Sequence, residues 1–213
     1  KIPLSVPVEL EHITPLSLHL PQTSPHCERW EIHRSLSKSQ IEKLHELALK
    51  YKLDLNLIPA HVKKIKLAVF DMDSTLINGE VIDELARLKG VSELVKKITA
   101  RAMNGEIDFS QSLKERVALL KGLHRHEMLQ VHHHLPLNPG VEKVASCLQK
   151  AGVHTAIVTG GFTFFAEEIR QKLKFNQAHA NTLAFEGDLL SGEVKGHIID
   201  GFGKKEIMMK MAL

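Results

Sequence analysis

Apolar residues recur along this chain with two different periods, and the switches between them mark out its elements. Lys66-Leu67-Ala68-Val69-Phe70 and Thr155-Ala156-Ile157-Val158 are short apolar runs, the pattern of buried strands. Between them the period lengthens to that of a helix. Ile82, Leu85, Ala86 and Leu88 share one helical face with Gly90 as the stop. Further helices are predicted over 91–103, 111–120 and 140–151, the last stopped by Gly152, and another over 164–173. Strands are predicted over 178–185 and 192–199, around the turn Glu186-Gly187-Asp188, and a final helix starts at Lys204. Strand, helices, strand, helix, strand is the order of an α/β layer with a parallel sheet. Sites in such sheets lie beyond the carboxyl ends of the strands, where Asp71 and Thr159 both stand.

The first 60 or so residues read differently. Pro3, Pro7, Pro15, Pro21 and Pro25 crowd the start, and the alternation over Ser5–Leu10 allows at most an edge strand. Ser37-Lys38-Ser39-Gln40 has the form of a helix N-cap, with Ile41, Leu44, Leu47 and Ala48 following on one face. Leu53, Leu55 and Leu57 alternate as a half-buried strand would, and Pro59 ends them. The chain therefore divides into a small N-terminal α/β module, 1–62, and a larger domain, 63–213, with helical segments at about 80–135.

Composition narrows the class. The chain has 213 residues, 43% hydrophobic and 25% charged, as a soluble globular protein has. Lys and Arg number 28 against 25 Asp and Glu, a net charge of +3. That balance argues against nucleic acid or an anionic membrane as partner. No apolar run approaches the ~20 residues of a membrane span. Cys27 and Cys147 are far apart and read as separate thiols in a reducing, cytoplasmic compartment. The opening Lys1-Ile2-Pro3-Leu4-Ser5 is no signal peptide, and without an initiating Met a trimmed N-terminus is expected. Whether the chain forms a homodimer stays open.

Two segments carry candidate chemistry. Asp71-Met72-Asp73-Ser74-Thr75 places two carboxylates at i and i+2 after a strand. One can serve as a nucleophile and the other as a general acid/base, and together they suit a hard cation, Mg²⁺ above all. Thr159-Gly160-Gly161-Phe162-Thr163 reads as a loop opening a helix, where a hydroxyl and exposed N–H groups cradle phosphate. Lys204 or Lys205 could add a point charge. His132-His133-His134, with His124 and His126 nearby, lacks an acid or Cys at ligand spacing and is not read as a metal site. Phe162, Phe164 and Phe165 read as core.

Val69-Phe70-Asp71-Met72-Asp73-Ser74-Thr75-Leu76 resembles the first motif of the haloacid-dehalogenase-like phosphatases. The segments Glu80–Ala86, Ile98–Met103, Gly105–Phe109, Ser112–Val117, Pro139-Gly140 and Thr159–Glu167 resemble the phosphoserine-hydrolysing branch of that family. The resemblance covers about Lys66 to Leu213, while the first 60 residues only loosely resemble an ACT-like module. It implies a Rossmann-like core with an inserted helical cap at about 80–135. It also implies hydrolysis of O-phosphoserine, the last step of serine synthesis, through an aspartyl-phosphate. Asp71 would attack phosphorus and Asp73 would act as acid and then base. Mg²⁺ would sit on the Asp71 carboxylate and the Asp73 carbonyl. Thr159, Gly160 and Lys204 would hold the phosphoryl oxygens, Glu80 the ammonium and Arg116 the carboxylate of the substrate. Another small phosphate ester, or a chain that does not turn over, are the alternatives.

Two departures from the family pattern stand out. Thr159 replaces the usual Ser and keeps its hydroxyl. A Gly-Asp-Gly loop with a further acidic metal ligand, which the resemblance places after the last helix, is expected beyond Leu213, so the chain reads as a fragment or a truncated product. Glu206, in the same helix as Lys204, cannot substitute.

Overall fold

In the computed structural model, which describes residues 18–24, 27–32, 35–58 and 64–213, the capping signal at Ser37 does start a helix. The chain divides into two units, Lys1–Lys64 and Ile65–Leu213. In the first, β1 (Leu18–Ser24) and β2 (Cys27–Glu31) form an antiparallel hairpin, and α1 spans Lys38–Tyr51. The Gln40 N–H donates to Ser37 Oγ at 3.3 Å, and the Ser37 N–H donates to Gln40 Oε1 at 2.9 Å. This reciprocal box satisfies two amides that the first turn leaves without partners.

Two expectations for this unit need correcting. Leu53, Leu55 and Leu57 form no strand: residues 53–58 are irregular, and Leu57 and Ile58 are exposed. Alternation supplies a face, but a strand also needs a neighbour for its backbone ladder. The hairpin at 18–31 was not anticipated, because its prolines and polar residues hide the period. The edge strand expected at Ser5–Leu10 lies outside the described residues. An ACT-like arrangement is not what the described hairpin and helix by themselves establish.

The second unit is built on a four-stranded sheet of order β3-β4-β5-β6, with β3 Leu67–Phe70, β4 His154–Phe162, β5 Gln177–Glu186 and β6 Leu189–Lys195. β3 pairs with β4 and β4 with β5 in parallel, but β5 and β6 are antiparallel. The sheet is mixed, not parallel as expected. The cause is local: Gly187, at φ +60°, lets a two-residue turn join Glu186 to Leu189, and so short a connection forces a hairpin. That turn also starts β6 three residues earlier than expected. β3 is half-buried, not buried, because among the described residues only β4 pairs with it.

Five helices fill the crossover from β3 to β4: α2 Val81–Lys89, α3 Ser92–Met103, α4 Phe109–Ala118, α5 Arg125–His134 and α6 Val141–Lys150. The chain leaves the sheet layer at 76–78 and returns at 136–138, and these two passages lie side by side. Ile77 bridges Leu137, and the Asn138 amide donates to the Thr75 and Ile77 carbonyls at 2.8 and 3.2 Å. α2–α5 thus form an insertion clasped at its base. α7 (Thr163–Leu173) packs on β4 and β5, and α8 (Gly201–Ala212) on β3 and β4. One apolar core runs through both layers, with Leu85, Leu113 and Leu123 from the insertion meeting Met72, Ile157, Phe162 and Phe165. Phe162 and Phe165 are buried, as read from the sequence, and Phe164 packs against the same core.

Candidate active site

The carboxyl end of β3 delivers Asp71, and the turn after it is wound around the Met72 carbonyl. The N–H groups of Thr75, Leu76 and Ile77 all donate to that oxygen, at 3.2, 2.9 and 3.2 Å. With the Met72 side chain fully buried beneath, Asp71 and Asp73 both face one cleft. Ser74 adopts a left-handed φ of +54°, which a side chain rarely accepts. Its N–H donates to the Gly79 carbonyl at 3.0 Å and its hydroxyl to Glu80 Oε1 at 2.7 Å. The turn therefore aims the Glu80 carboxylate as well.

Asp73 Oδ1 accepts from the Val81 N–H at 2.9 Å, the first amide of α2. That bond favours the anion, as does the charge of Lys204. Burial outweighs them, and with the Glu80 and Asp71 carboxylates nearby it pushes the Asp73 pKa up from 3.8 to about 6. Asp71 is more exposed. Its Oδ1 accepts from the Met72 N–H at 2.8 Å and its Oδ2 pairs with Lys204 Nζ at 2.6 Å. Lys204 reaches this position because Asp200 caps α8, taking the Gly203 N–H at 2.8 Å.

β4 brings the opposite wall. Thr159-Gly160-Gly161 is not the loop expected from the sequence but the end of the strand, which runs to Phe162. Its pairing with β5 shifts register between Val158 and Phe162, and this irregularity turns the two glycines toward the cleft. Neither position has room for a side chain. A Cβ at Gly161 would stand 2.5 Å from Asp73 Oδ2 and 2.7 Å from Met72 Cε, and one at Gly160 would stand 2.8 Å from Phe109 Cζ. Thr159 is buried, and its Oγ1 accepts the Gly161 N–H at 2.9 Å.

α4 supplies the third side. Asp108 caps it by accepting from the Gln111 N–H at 2.7 Å, and Phe109, Leu113 and Arg116 then face the cleft at helical spacing. Arg116 Nε donates to the Ser112 carbonyl at 3.3 Å, and among the described residues the guanidinium makes no ion pair. Burial lowers its pKa, against the opposing charges of Asp83 and Glu80.

All seven residues singled out from the sequence, Asp71, Asp73, Glu80, Arg116, Thr159, Gly160 and Lys204, line one cleft of about 190 Å³. Lys204 lines it and Lys205 does not. Val81, Ile82, Phe109, Leu113 and Phe162 give it apolar walls. Sequence reasoning assigned no role to Phe109, which the spacing Phe109–Leu113–Arg116 could have shown. It also missed Asn181, buried in β5, which holds the Gly160 carbonyl at 2.9 Å and which no local pattern marks. Among the described residues no cluster of three or more His, Cys, Asp and Glu side chains has the geometry of a metal centre; the side chains of His132–His134 lie outside that description. Cys147 is a free, exposed thiol.

The lining suits a hard cation: the carboxylates of Asp71, Asp73 and Glu80 are oxygen donors, and no sulfur or imidazole is among the residues lining the cleft. No helix among the described residues is long and apolar enough to cross a membrane.

Residues 65–208 match the family model for haloacid dehalogenase-like hydrolase. The chain is 42% identical over 147 residues to phosphoserine phosphatase of Archaeoglobus fulgidus, a match covering 69% of this chain and 43% of that protein. Among solved structures it is similar to a phospho-aspartyl intermediate analogue of phosphoserine phosphatase, with 42% identity and a TM-score of 0.65 over 70% of this chain and 72% of that one. A substrate-bound phosphoserine phosphatase complex aligns with 41% identity and a TM-score of 0.65, over 71% and 72% of the two chains. The chain thus spans less than half the length of the archaeal relative. These relatives are phosphatases of a family that generally needs a divalent metal.

Proposed function

The chain belongs to the haloacid dehalogenase-like hydrolases, and on that premise we propose that it is a phosphoserine phosphatase, releasing serine and orthophosphate. The observation that carries the reading is Arg116. A half-buried guanidinium without an ion pair among the described residues, lining one cleft with the Glu80 carboxylate, is a receptor for a zwitterion. The carboxylate of phosphoserine fits the Arg116 fork and its ammonium fits Glu80. Its phosphate then falls to the end of the cleft lined by Asp71, Thr159, Gly160 and Lys204.

The chemistry follows from those positions. An Asp71 carboxylate oxygen attacks phosphorus, the bond to the serine oxygen breaks, and Asp73 gives its proton to that oxygen. An Asp73 pKa of about 6 keeps part of the population protonated near neutrality, as a general acid requires. Asp73, now ionised, takes a proton from water as the water attacks phosphorus, which frees Asp71 and orthophosphate. Lys204, Thr159 and the Gly160 N–H meet the equatorial oxygens, where charge accumulates during transfer. Mg²⁺ would be held by the Asp71 carboxylate and the Asp73 carbonyl, and would supply positive charge beside the phosphoryl group. Residues 63–213 are then the catalytic domain with a cap at about 80–135, residues 1–62 a separate module, and the setting is serine synthesis in the cytoplasm.

The test is phosphate release in Mg²⁺ from phosphoserine, phosphoethanolamine, which lacks the carboxylate, and glycerol phosphate, which lacks both recognised groups. Phosphoserine should be preferred. Preference for another ester would sink the substrate, and no release from any would sink the activity.

A further inference from the structure

Asn181 uses its whole amide on two segments of backbone. It sits in β5 with 1% of its surface exposed. Its Nδ2 donates to the Gly160 carbonyl at 2.9 Å and to the Ile199 carbonyl at 3.4 Å, and its Oδ1 accepts the Ile199 N–H at 2.7 Å. Among the described residues no backbone hydrogen bond joins these two segments directly. One planar side chain therefore links the irregular end of β4 to the run of chain that enters α8.

Each segment carries half of the phosphoryl cradle. On one side, the Gly160 carbonyl belongs to the peptide plane whose N–H is that of Gly161. Holding the carbonyl orients the N–H in the same plane, and that N–H donates to Thr159 Oγ1 at 2.9 Å. A hydroxyl oxygen that accepts there keeps its own hydrogen to donate. On the other side, Ile199 is followed at once by Asp200. Asp200 caps α8 through the Gly203 N–H at 2.8 Å, and its carbonyl takes the Lys204 N–H, also at 2.8 Å. Where Ile199 is held decides where α8 begins, and so where the Lys204 ammonium stands.

We propose that Asn181 is a positioning residue for phosphoryl binding, setting the spacing and orientation of the Thr159–Gly160 cradle relative to Lys204. The proposal rests on the reading of the cleft given above and makes a distinction inside it. Glu80 and Arg116 come from the α2–α5 side and do not touch Asn181. Losing Asn181 should therefore damage the phosphate end of the cleft and spare the amino-acid end. A side chain that merely held the fold together would damage both.

The experiment compares wild type with Asn181→Asp, Asn181→Ser and Asn181→Ala. The Asp variant keeps the size and the acceptor for Ile199 but, when ionised, donates to neither carbonyl. Orthophosphate and L-serine affinities are measured separately in Mg²⁺ by titration calorimetry or NMR, with thermal unfolding alongside. Orthophosphate should weaken about tenfold or more, because a misplaced cradle loses oriented donors, while L-serine changes less than about twofold. Turnover of phosphoserine and of p-nitrophenyl phosphate should fall by similar factors. Unchanged orthophosphate affinity overturns the proposal. So does a parallel loss of both ligands, or failure of all three variants to fold, since either makes Asn181 a residue of the fold only. A wild-type chain that binds orthophosphate but leaves phosphoserine intact defeats the substrate reading alone, and Asn181 is then judged on orthophosphate. A wild-type chain that binds no orthophosphate defeats both.

Discussion

Replacing Asp73 with Asn should make the protein more stable while removing its activity. The Asp73 carboxyl is held near 6 in the folded protein, chiefly by burial and then by the neighbouring Glu80 and Asp71 carboxylates, against 3.8 when unperturbed. The folded state thus binds this proton more tightly than the unfolded chain does. Folding stability falls as pH rises from about 4 to about 6, and above that range the whole cost is present. The difference, 6 − 3.8 ≈ 2.2, corresponds to about 3 kcal/mol at 1.36 kcal/mol per tenfold change in proton affinity. Some solvent reaches this side chain, so ~1–3 kcal/mol is the range to expect. Asn has the same shape, keeps an acceptor for the Val81 N–H and offers hydrogens toward carboxylates. At pH 8 without divalent metal, Asp73→Asn should therefore unfold ~3–10 °C above wild type. The gain should shrink toward zero near pH 4, where wild type is also neutral at this position. Phosphate release should drop by about a hundredfold or more, because no acid protonates the leaving oxygen. The assay is thermal unfolding by circular dichroism from pH 4 to 8, with phosphate release measured on the same samples. A variant no more stable than wild type at pH 8, or a gain equal at both ends of the range, would refute the reasoning.

The remaining predictions follow from the same cleft. Asp71→Asn should abolish turnover and the trapping of beryllofluoride on the protein while leaving the fold intact; activity above about one hundredth of wild type would rule out covalent catalysis. Arg116→Ala should raise KM for phosphoserine by a factor equivalent to ~2–4 kcal/mol and affect phosphoethanolamine far less; equal effects would make Arg116 a structural residue. Gly161→Ala should cost most of the activity, because its Cβ would meet Asp73 Oδ2 at 2.5 Å and Met72 Cε at 2.7 Å; wild-type kinetics in that variant would show that the turn yields freely.

By itself the sequence determined what depends on three or four neighbouring residues. Ser37 and Gln40 encode their capping box, and Gly90 and Gly152 mark where helices end, because these signals act within one turn. The apolar run into Asp71 was legible for the same reason. So were Asp71, Asp73, Thr159 and Gly160, whereas Glu80, Arg116 and the choice of Lys204 over Lys205 came through a family resemblance and not through periodicity. Tertiary structure decided the rest. Leu53, Leu55 and Leu57 have the right period for a strand and form none, since hydrogen-bonded pairing is a property of two segments. Thr159–Phe162 looks like a loop to a local reading and is a strand, because β5 lies beside it. Lys204 and Lys205 are equivalent in sequence; only the angle at which α8 leaves its Asp200 cap brings one to Asp71. Asn181 shows the limit most clearly. Its partners, Gly160 and Ile199, lie 21 and 18 residues away, and their order along the chain says nothing about a shared amide. Caps and periods are short-range and written in the chain, whereas burial and pairing depend on which distant segments pack together.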